Sequence, residues 1–239
     1  MCGILGILSS DPTACSPEAV QSLSAWRDRL SRRGPDGAGL TSLAGQGGWS
    51  ASLAHRRLAV IEPGLAGSQP MASPCGRWVI VYNGELYNDA EVRAEVGDRW
   101  RFRTRSDTET VMAAVAAWGV EAASRLRGMY AFAVVDARSG RAWLARDPMG
   151  IKPLYYTTRN GVLAFASEIR PLVNSGLVPR DINMAAVAGL LAYGAVQEPL
   201  TFYKDIVNFR AGCYQEFGLT PGGTIEPGAL TKHWDFPAI

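Results

Sequence analysis

Three features of this 239-residue sequence predict an α+β fold built of stacked layers. Short apolar runs rich in β-branched and aromatic residues come in blocks, helical patterns stand apart from those blocks, and turn residues join successive runs into hairpins. Nothing in the order suggests the strict strand and helix alternation of a doubly wound sheet.

In chain order, "GILGIL" (3–8) is the first predicted strand. "SPEAVQSLSAWRDRL" (16–30) reads as a helix: Ser16 is a cap, Pro17 occupies the first helical position, and Ala19, Leu23, Trp26 and Leu30 share one face, with a stop at Gly34-Pro35. "RWVIVYNG" (77–84) is a strongly apolar strand. "SDTETVMAAVAAWG" (106–119) is a helix with a capping box between Ser106 and Glu109, an apolar face of Val111, Met112, Val115 and Trp118, and a Gly119 stop. Strands follow at "MYAFAVVD" (129–136), "RAWLARD" (141–147), "PLYYTT" (153–158) and "GVLAFAS" (161–167). The turn residues "SGR" and "RNG" among them predict consecutive hairpins across 129–167, hence an antiparallel sheet. "NMAAVAGLLAYG" (183–194) is a third helix, apolar enough to be expected in the interior. Residues 220–239 are rich in Pro and Gly and mark an expected domain edge, leaving one domain over 2–219.

Composition narrows the function classes. Hydrophobic residues make up 47% and charged residues 19%, the balance of a folding globular chain. A net charge of +2 supplies no field for nucleic acid or acidic lipid, so a small specific ligand is expected. No apolar run reaches the ~20 residues of a membrane span and no secretory signal opens the chain, so a cytoplasmic location is expected, with neither nucleic acid nor membrane as partner. Cys2, Cys15, Cys75 and Cys213 form no CxxC pair, which argues against a structural metal. With His55 and His233 the sole histidines, a Cys-His or Ser-His mechanism would have to recruit one of them.

Cys2 offers another route. Removal of Met1 would leave one residue carrying a thiol and a free α-amine, whose pKa of ~7.7–8 against ~10.4 for lysine leaves a useful unprotonated fraction near neutrality. The nucleophile would then carry its own base. Taken alone, residue 2 is better read as a small packed hydrophobe. Asn83-Gly84 in "YNGELYN" (82–88) could form an oxyanion hole or an ordinary turn. Arg57 in "LAHRRLAVIEP" (53–63) sits in a strand-like context and, if buried, needs a carboxylate from protein or ligand. Asp107 in "RSDTET" (105–110) serves equally as a first-turn helix acid.

Taken together these stretches resemble the class II glutamine amidotransferases, N-terminal-nucleophile hydrolases, and within them the glutaminase domain of the asparagine synthetase type. "CGILGI", "RGPDG" (33–37), "AHRRLAV", "GSQPM" (67–71), "YNGELYN", "RSDTET", "GMYAFAVVD" (128–136), "RDPMGIKPLYY" (146–156) and "FASEIR" (165–170) look like that family's signatures in order, from Cys2 to about Trp234. The chain departs from them at Arg32, where His usually precedes "RGPD", and at Glu62, where Asp is usual.

The resemblance implies a four-layer αββα sandwich, two antiparallel sheets between helix layers. It implies Cys2 as nucleophile, its freed amine as base, and Asn83 and Gly84 as oxyanion donors. Arg57 would hold the α-carboxylate of L-glutamine, the backbone of Leu58, Ala59, Val60 and Ile61 would line the pocket, and Asp107 with the Glu85 region would receive the α-amine. Glutamate and ammonia would result, without a cofactor on this chain. The family's ATP-dependent synthetase carries an "SGGxDS" loop that does not occur here, so ATP and Mg are expected on a partner domain or subunit receiving the ammonia; residues 220–239 would lead toward it, and a homodimer is compatible. Two alternatives stand beside this: a catalytically silent regulatory or scaffolding domain, and a different N-terminal-nucleophile amidase. The remaining motifs carry structural expectations: a hydrogen bond for His55, an exposed position for His233, a turn with an internal ion pair for 146–152, and a shaped loop with Asp36 holding local N–H groups for "RGPDG".

Overall fold

The computed structural model describes residues 1–45, 48–219 and 224–235. The strands, in order, are β1 (Gly3–Ser9), β2 (Gly37–Ala44), β3 (Ser50–Arg57), β4 (Met71–Ala72), β5 (Trp78–Leu86), β6 (Gly128–Asp136), β7 (Arg141–Arg146), β8 (Tyr155–Arg159), β9 (Val162–Ala166), β10 (Val207–Asn208), β11 (Cys213–Leu219), β12 (Ile225–Pro227) and β13 (Thr231–Lys232). The α-helices are α1 (Pro17–Arg29), α2 (Asp89–Val96), α3 (Asp107–Trp118), α4 (Ala122–Arg125), α5 (Ile169–Asn174) and α6 (Met184–Tyr193). One sheet runs β10-β8-β9-β1-β3-β2 and the other β12-β11-β7-β6-β5-β4, with β13 also on β11. Every pairing is antiparallel.

Strand periodicity sorts the apolar side chains into three cores. Ile4 and Leu8 of β1, Ala51 and Leu53 of β3, Val79 and Val81 of β5, and Ala131, Ala133 and Val135 of β6 meet between the sheets. Their alternates on the second sheet, Ile80, Tyr82, Tyr130 and Phe132, pack against Val92 of α2, Val111 and Met112 of α3 and Ala123 of α4. On the first sheet, Leu5, Ile7 and Ala54 face Leu23 of α1 and Leu172 of α5. The result is the expected αββα sandwich. Gly6 is required where the sheets approach: a Cβ there would lie 2.6 Å from the Phe165 ring and 2.8 Å from Leu53 Cδ2.

Several local expectations need correction. The hairpins β6-β7 and β8-β9 lie in different sheets, so 129–167 is not one continuous sheet. The segment between them carries the chain across, and its charges are used for that. Asp147 accepts the N–H groups of Tyr130, Met149, Ile151 and Lys152, while Arg146 pairs with Glu198 at 2.6 Å and donates to the carbonyls of Gly150, Lys152 and Phe209. The expected internal ion pair is replaced by backbone capping and a long-range bridge. α1 ends at Arg29, ahead of Gly34-Pro35, because Leu30 N–H turns back to the Arg27 and Asp28 carbonyls.

α6 is not an interior helix. Ala186 and Gly189 are buried, whereas Met184, Leu191 and Tyr193 are exposed, Leu191 by 82%, and none of its side chains joins the three cores. His233 is not exposed either: its Nε2 lies 3.0 Å from the Arg146 carbonyl and its ring stacks between Tyr130 and Tyr214. Of the segment 220–239, residues 224–235 are described, and its two strands extend the second sheet from β11; 220–223 and 236–239 lie outside the described residues. Among those described, no helix is long and apolar enough to cross a membrane.

Candidate functional site

The strand faces that build the core between the sheets also aim the candidate residues. Along β1, Ile4 and Leu8 face that core, so Cys2, two residues before Ile4, continues the same face. Along β3 the series Ala51, Leu53, His55 leads to Arg57, and along β5 the series Val79, Val81 leads to Asn83. The antiparallel pairing Gly3↔Arg56 brings the start of β1 alongside the end of β3. Three candidate side chains, Cys2, Arg57 and Asn83, thus converge on one cavity.

The cavity, of about 210 Å³, is lined by Cys2, Arg57, Leu58, Val60, Ile61, Asn83, Gly84, Glu85 and Asp107 among others. Ala59 is the predicted residue that does not reach it; its N–H donates to Asp36 Oδ2 at 2.8 Å, which fixes the chain as it leaves β3. Asp36 therefore holds an N–H distant in sequence and not a local one.

The Cys2 sulfur is half-buried and engages Leu58 twice, accepting from its N–H at 3.4 Å and donating to its carbonyl at 3.7 Å. The Arg33 Nε donates to the Cys2 carbonyl at 3.0 Å, and Ile4 N–H donates to Ser167 Oγ at 3.0 Å, so the "RGPDG" and "FASEIR" stretches secure the start of β1. Burial pushes the Cys2 thiol up, opposed by the Leu58 N–H and by the charges of the chain terminus, Arg57 and Lys152.

Asn83 is 1% exposed, and its Nδ2 has no hydrogen-bond partner among the described residues. An orphaned buried donor is uncommon and unfavourable by ~1–3 kcal/mol, so an amide held this way at a cavity wall is poised for an oxygen arriving from outside. Gly84 follows it, and a side chain there would collide with the Met129 carbonyl at 2.6 Å and the Tyr82 ring.

Asp107 opens α3, where Ser106 caps by accepting from Thr108 N–H. The capping box is only half formed, because Glu109 turns to Thr104, Arg103 and Trp100 instead of to Ser106. Asp107 is buried, and its Oδ2 accepts from Tyr82 Oη and Leu86 N–H, each at 3.0 Å. Burial raises its pKa, with those two bonds opposing. Arg57 is half-buried and finds carbonyls in place of a carboxylate, donating through Nη1 to Gly64 at 2.7 Å and through Nη2 to Glu62. His55 makes the expected structural contact, with Nε2 3.2 Å from the Tyr82 carbonyl. The cavity lining thus combines a cation, a buried acid, a thiol and an unpartnered amide.

Sequence reasoning missed three contributors. Gln69 ties the walls together, its Oε1 accepting from Tyr82 N–H at 2.6 Å and its Nε2 donating to Thr108 at 3.1 Å. Tyr82 orients Asp107. Lys152 is buried in the lining. "GSQPM" and "GIKPLYY" were visible as motifs, but the roles of Gln69 and Lys152 depend on contacts far away in sequence. No group of three or more His, Cys, Asp or Glu among the described residues could hold a metal ion.

Comparison with known proteins finds relatives along most of the chain. The chain is 33% identical over 228 residues to asparagine synthetase [glutamine-hydrolyzing] 1 of Bacillus subtilis, covering 94% of this chain and 34% of that protein. It is 37% identical over 176 residues to asparagine synthetase B [glutamine-hydrolyzing] of Escherichia coli, covering 72% of this chain and 30% of the other. The chain thus spans about a third of the length of these curated relatives. Among solved structures, a glutamine phosphoribosylpyrophosphate amidotransferase from B. subtilis superposes with a TM-score of 0.63 at 18% identity, over 95% of this chain and 49% of that one, a likeness of fold. The family model described as "Glutamine amidotransferase domain" matches residues 1–224, and the chain belongs to that family.

Proposed function

We propose that this chain hydrolyses L-glutamine to glutamate and ammonia, with Cys2 as nucleophile after removal of Met1. The observation that carries the reading is the orphaned Asn83 amide, buried in the wall of the cavity that also holds the Cys2 sulfur, Arg57 and Asp107. Arg57 binds the α-carboxylate, and Asp107 with Glu85 takes the α-ammonium; the backbone of Leu58, Val60 and Ile61 borders the substrate. The freed amine of Cys2 accepts the thiol proton as sulfur attacks the γ-carbonyl carbon. The oxyanion accepts hydrogen bonds from Asn83 Nδ2 and Gly84 N–H. The C–N bond then breaks, ammonia leaving with the proton the amine held, and a γ-glutamyl thioester remains. Water attacks the thioester with proton transfer through the same amine, releasing glutamate and restoring the thiol. No cofactor is needed on this chain.

The ammonia serves an ATP-dependent synthetase domain or subunit, where ATP and Mg would act; the length of the relatives supports this. Free ammonia would become ammonium near neutrality and lose its nucleophilicity, which favours direct transfer. A cytoplasmic setting and a homodimer are compatible with the reading, the latter detectable by light scattering.

The test pairs intact mass with timed glutamate release. Protein lacking Met1 should release glutamate from glutamine, and Cys2→Ala should abolish release. Asn83→Ala should lower kcat by about 10²–10³, or ~2.7–4 kcal/mol, with little change in KM. Trimmed protein that leaves glutamine intact, or Cys2→Ala with full turnover, sinks the reading.

A further inference from the structure

Five charged side chains line the cavity: Arg57, Glu62, Glu85, Asp107 and Lys152. Arg57 is held by two carbonyls and Asp107 by two donors, while Glu85 is exposed and Glu62 half-buried. Lys152 differs from all of them. It is 6% exposed, and its ammonium makes no hydrogen bond or ion pair among the described residues. Its backbone is clamped at both ends, the N–H donating to Asp147 Oδ2 at 2.9 Å and the carbonyl accepting from Arg146 Nε at 2.8 Å. Arg146 is in turn fixed by Glu198 and Phe209. This is a cation deliberately anchored in a wall and left without an anion.

An ammonium with no anion of its own in the protein favours any negative charge that forms nearby. Asp147, the acid nearest in sequence, is fully buried and occupied by four backbone N–H groups. Glu62 and Glu85 share the cavity from its exposed side, and the Cys2 sulfur lines it together with Lys152, whose charge reaches the thiol.

We propose that Lys152 is a positioning residue that acts through Cys2, its anchored ammonium stabilising the negative charge that develops on the sulfur as the thiol gives up its proton. The inference rests on the reading of Cys2 as the nucleophile. Lys152 forms and breaks no bond; it makes the thiolate accessible in a site whose burial otherwise opposes it. The other groups facing the sulfur stay in place when Lys152 is replaced: Arg57 from β3, the Arg33 guanidinium on the Cys2 carbonyl, Glu62 from the loop after β3, Tyr82 and Glu85 from β5, Asp107 from α3, and the chain terminus.

The test follows iodoacetamide alkylation of Cys2 against pH in full-length protein that retains Met1, so that the Cys2 nitrogen is a peptide amide and the Met1 amine is common to every variant compared. Cys15→Ser and Cys75→Ser remove competing thiols, and Cys2→Ala supplies the blank. Lys152→Met should move the alkylation midpoint up by about one unit, slowing the reaction near pH 7 about tenfold. Lys152→Arg, which keeps the charge, should move it by less than about 0.3 unit. If Lys152→Met does not fold, Lys152→Gln gives the same reading with a polar tip. A midpoint unchanged in the neutral variants, or shifted equally in Lys152→Arg, overturns the proposal. Alkylation does not require turnover, so a wild-type protein inert toward glutamine would sink the proposed function while leaving this result to stand separately.

Discussion

On the proposed reading, Asp107 serves stability and binding in opposite directions. Its carboxyl is raised above the usual range by burial, with Leu86 N–H and Tyr82 Oη pulling the other way. The folded protein therefore holds this proton more tightly than the unfolded chain does, a contribution present at acid pH and lost as pH rises through the folded value. Near neutrality the ionised form opposes folding. Asp107→Asn keeps an acceptor for Leu86 and Tyr82 while removing the charge, so thermal unfolding should shift upward. The same change should raise KM for glutamine by about 10–100-fold, the loss of a charge-assisted hydrogen bond of ~1.5–3 kcal/mol. Calorimetry and initial rates on one preparation check both; a lowered Tm with unchanged KM contradicts the assignment. In sequence, the type and position of Asp107 were legible but its burial was not, because a first-turn acid looks the same whether its helix starts in water or over the end of a strand.

Among the elements, those with strong periodicity or caps were read from sequence with small boundary shifts: β1, β5, β6, β7, β8, β9, α1 and α3. β2, "GAGLTSLA", is poor in β-formers and exists because eight of its residues register against β3, from Gly37↔Arg57 to Ala44↔Ser50. α2 is short, with an ordinary charged sequence, and is defined by its packing on the second sheet. α6 failed in the other direction. Its uniformly apolar composition implied burial, yet composition says nothing about what is available to cover a helix. Leu191→Glu should therefore alter stability by less than about 0.5 kcal/mol, measured by urea unfolding. A loss of several kcal/mol would return α6 to the interior.

Over the whole molecule, the sandwich is joined across its middle by polar as well as apolar contacts. His55 on β3 reaches the Tyr82 carbonyl on β5, spanning the two sheets. Burial lowers its pKa to about 3, the carbonyl opposing and the charges of Arg57 and Arg56 adding to the depression. The unfolded chain takes up this proton below about 6.5 while the folded protein refuses it until about 3. Stability is thus intact above that window and falls as pH drops through it, by up to about 1.4 kcal/mol per pH unit from this group. His55→Gln should flatten the decline between pH 6 and 4 in denaturant titrations, and an unchanged slope would remove His55 as its source. The layer order was legible from the resemblance, whereas the division of 129–167 between sheets was not. Turn residues announce hairpins, but the partner of each hairpin's outer edge is chosen by distant strands.

β1 is gripped along both edges, by β3 over Gly3 to Ser9 and by β9 over Leu5 to Ser9. The lip of Leu58, Val60 and Ile61 belongs to no strand and turns outward. On the proposed reading, laboratory evolution toward bulkier amides has a natural division of labour: diversity belongs in the lip, where the doorway can be recut while the Cys2 sulfur keeps its bearings. Inserting a single residue between positions 2 and 4 would swing that atom to the far face of the sheet, so the leading heptapeptide is the part of the gene to leave alone.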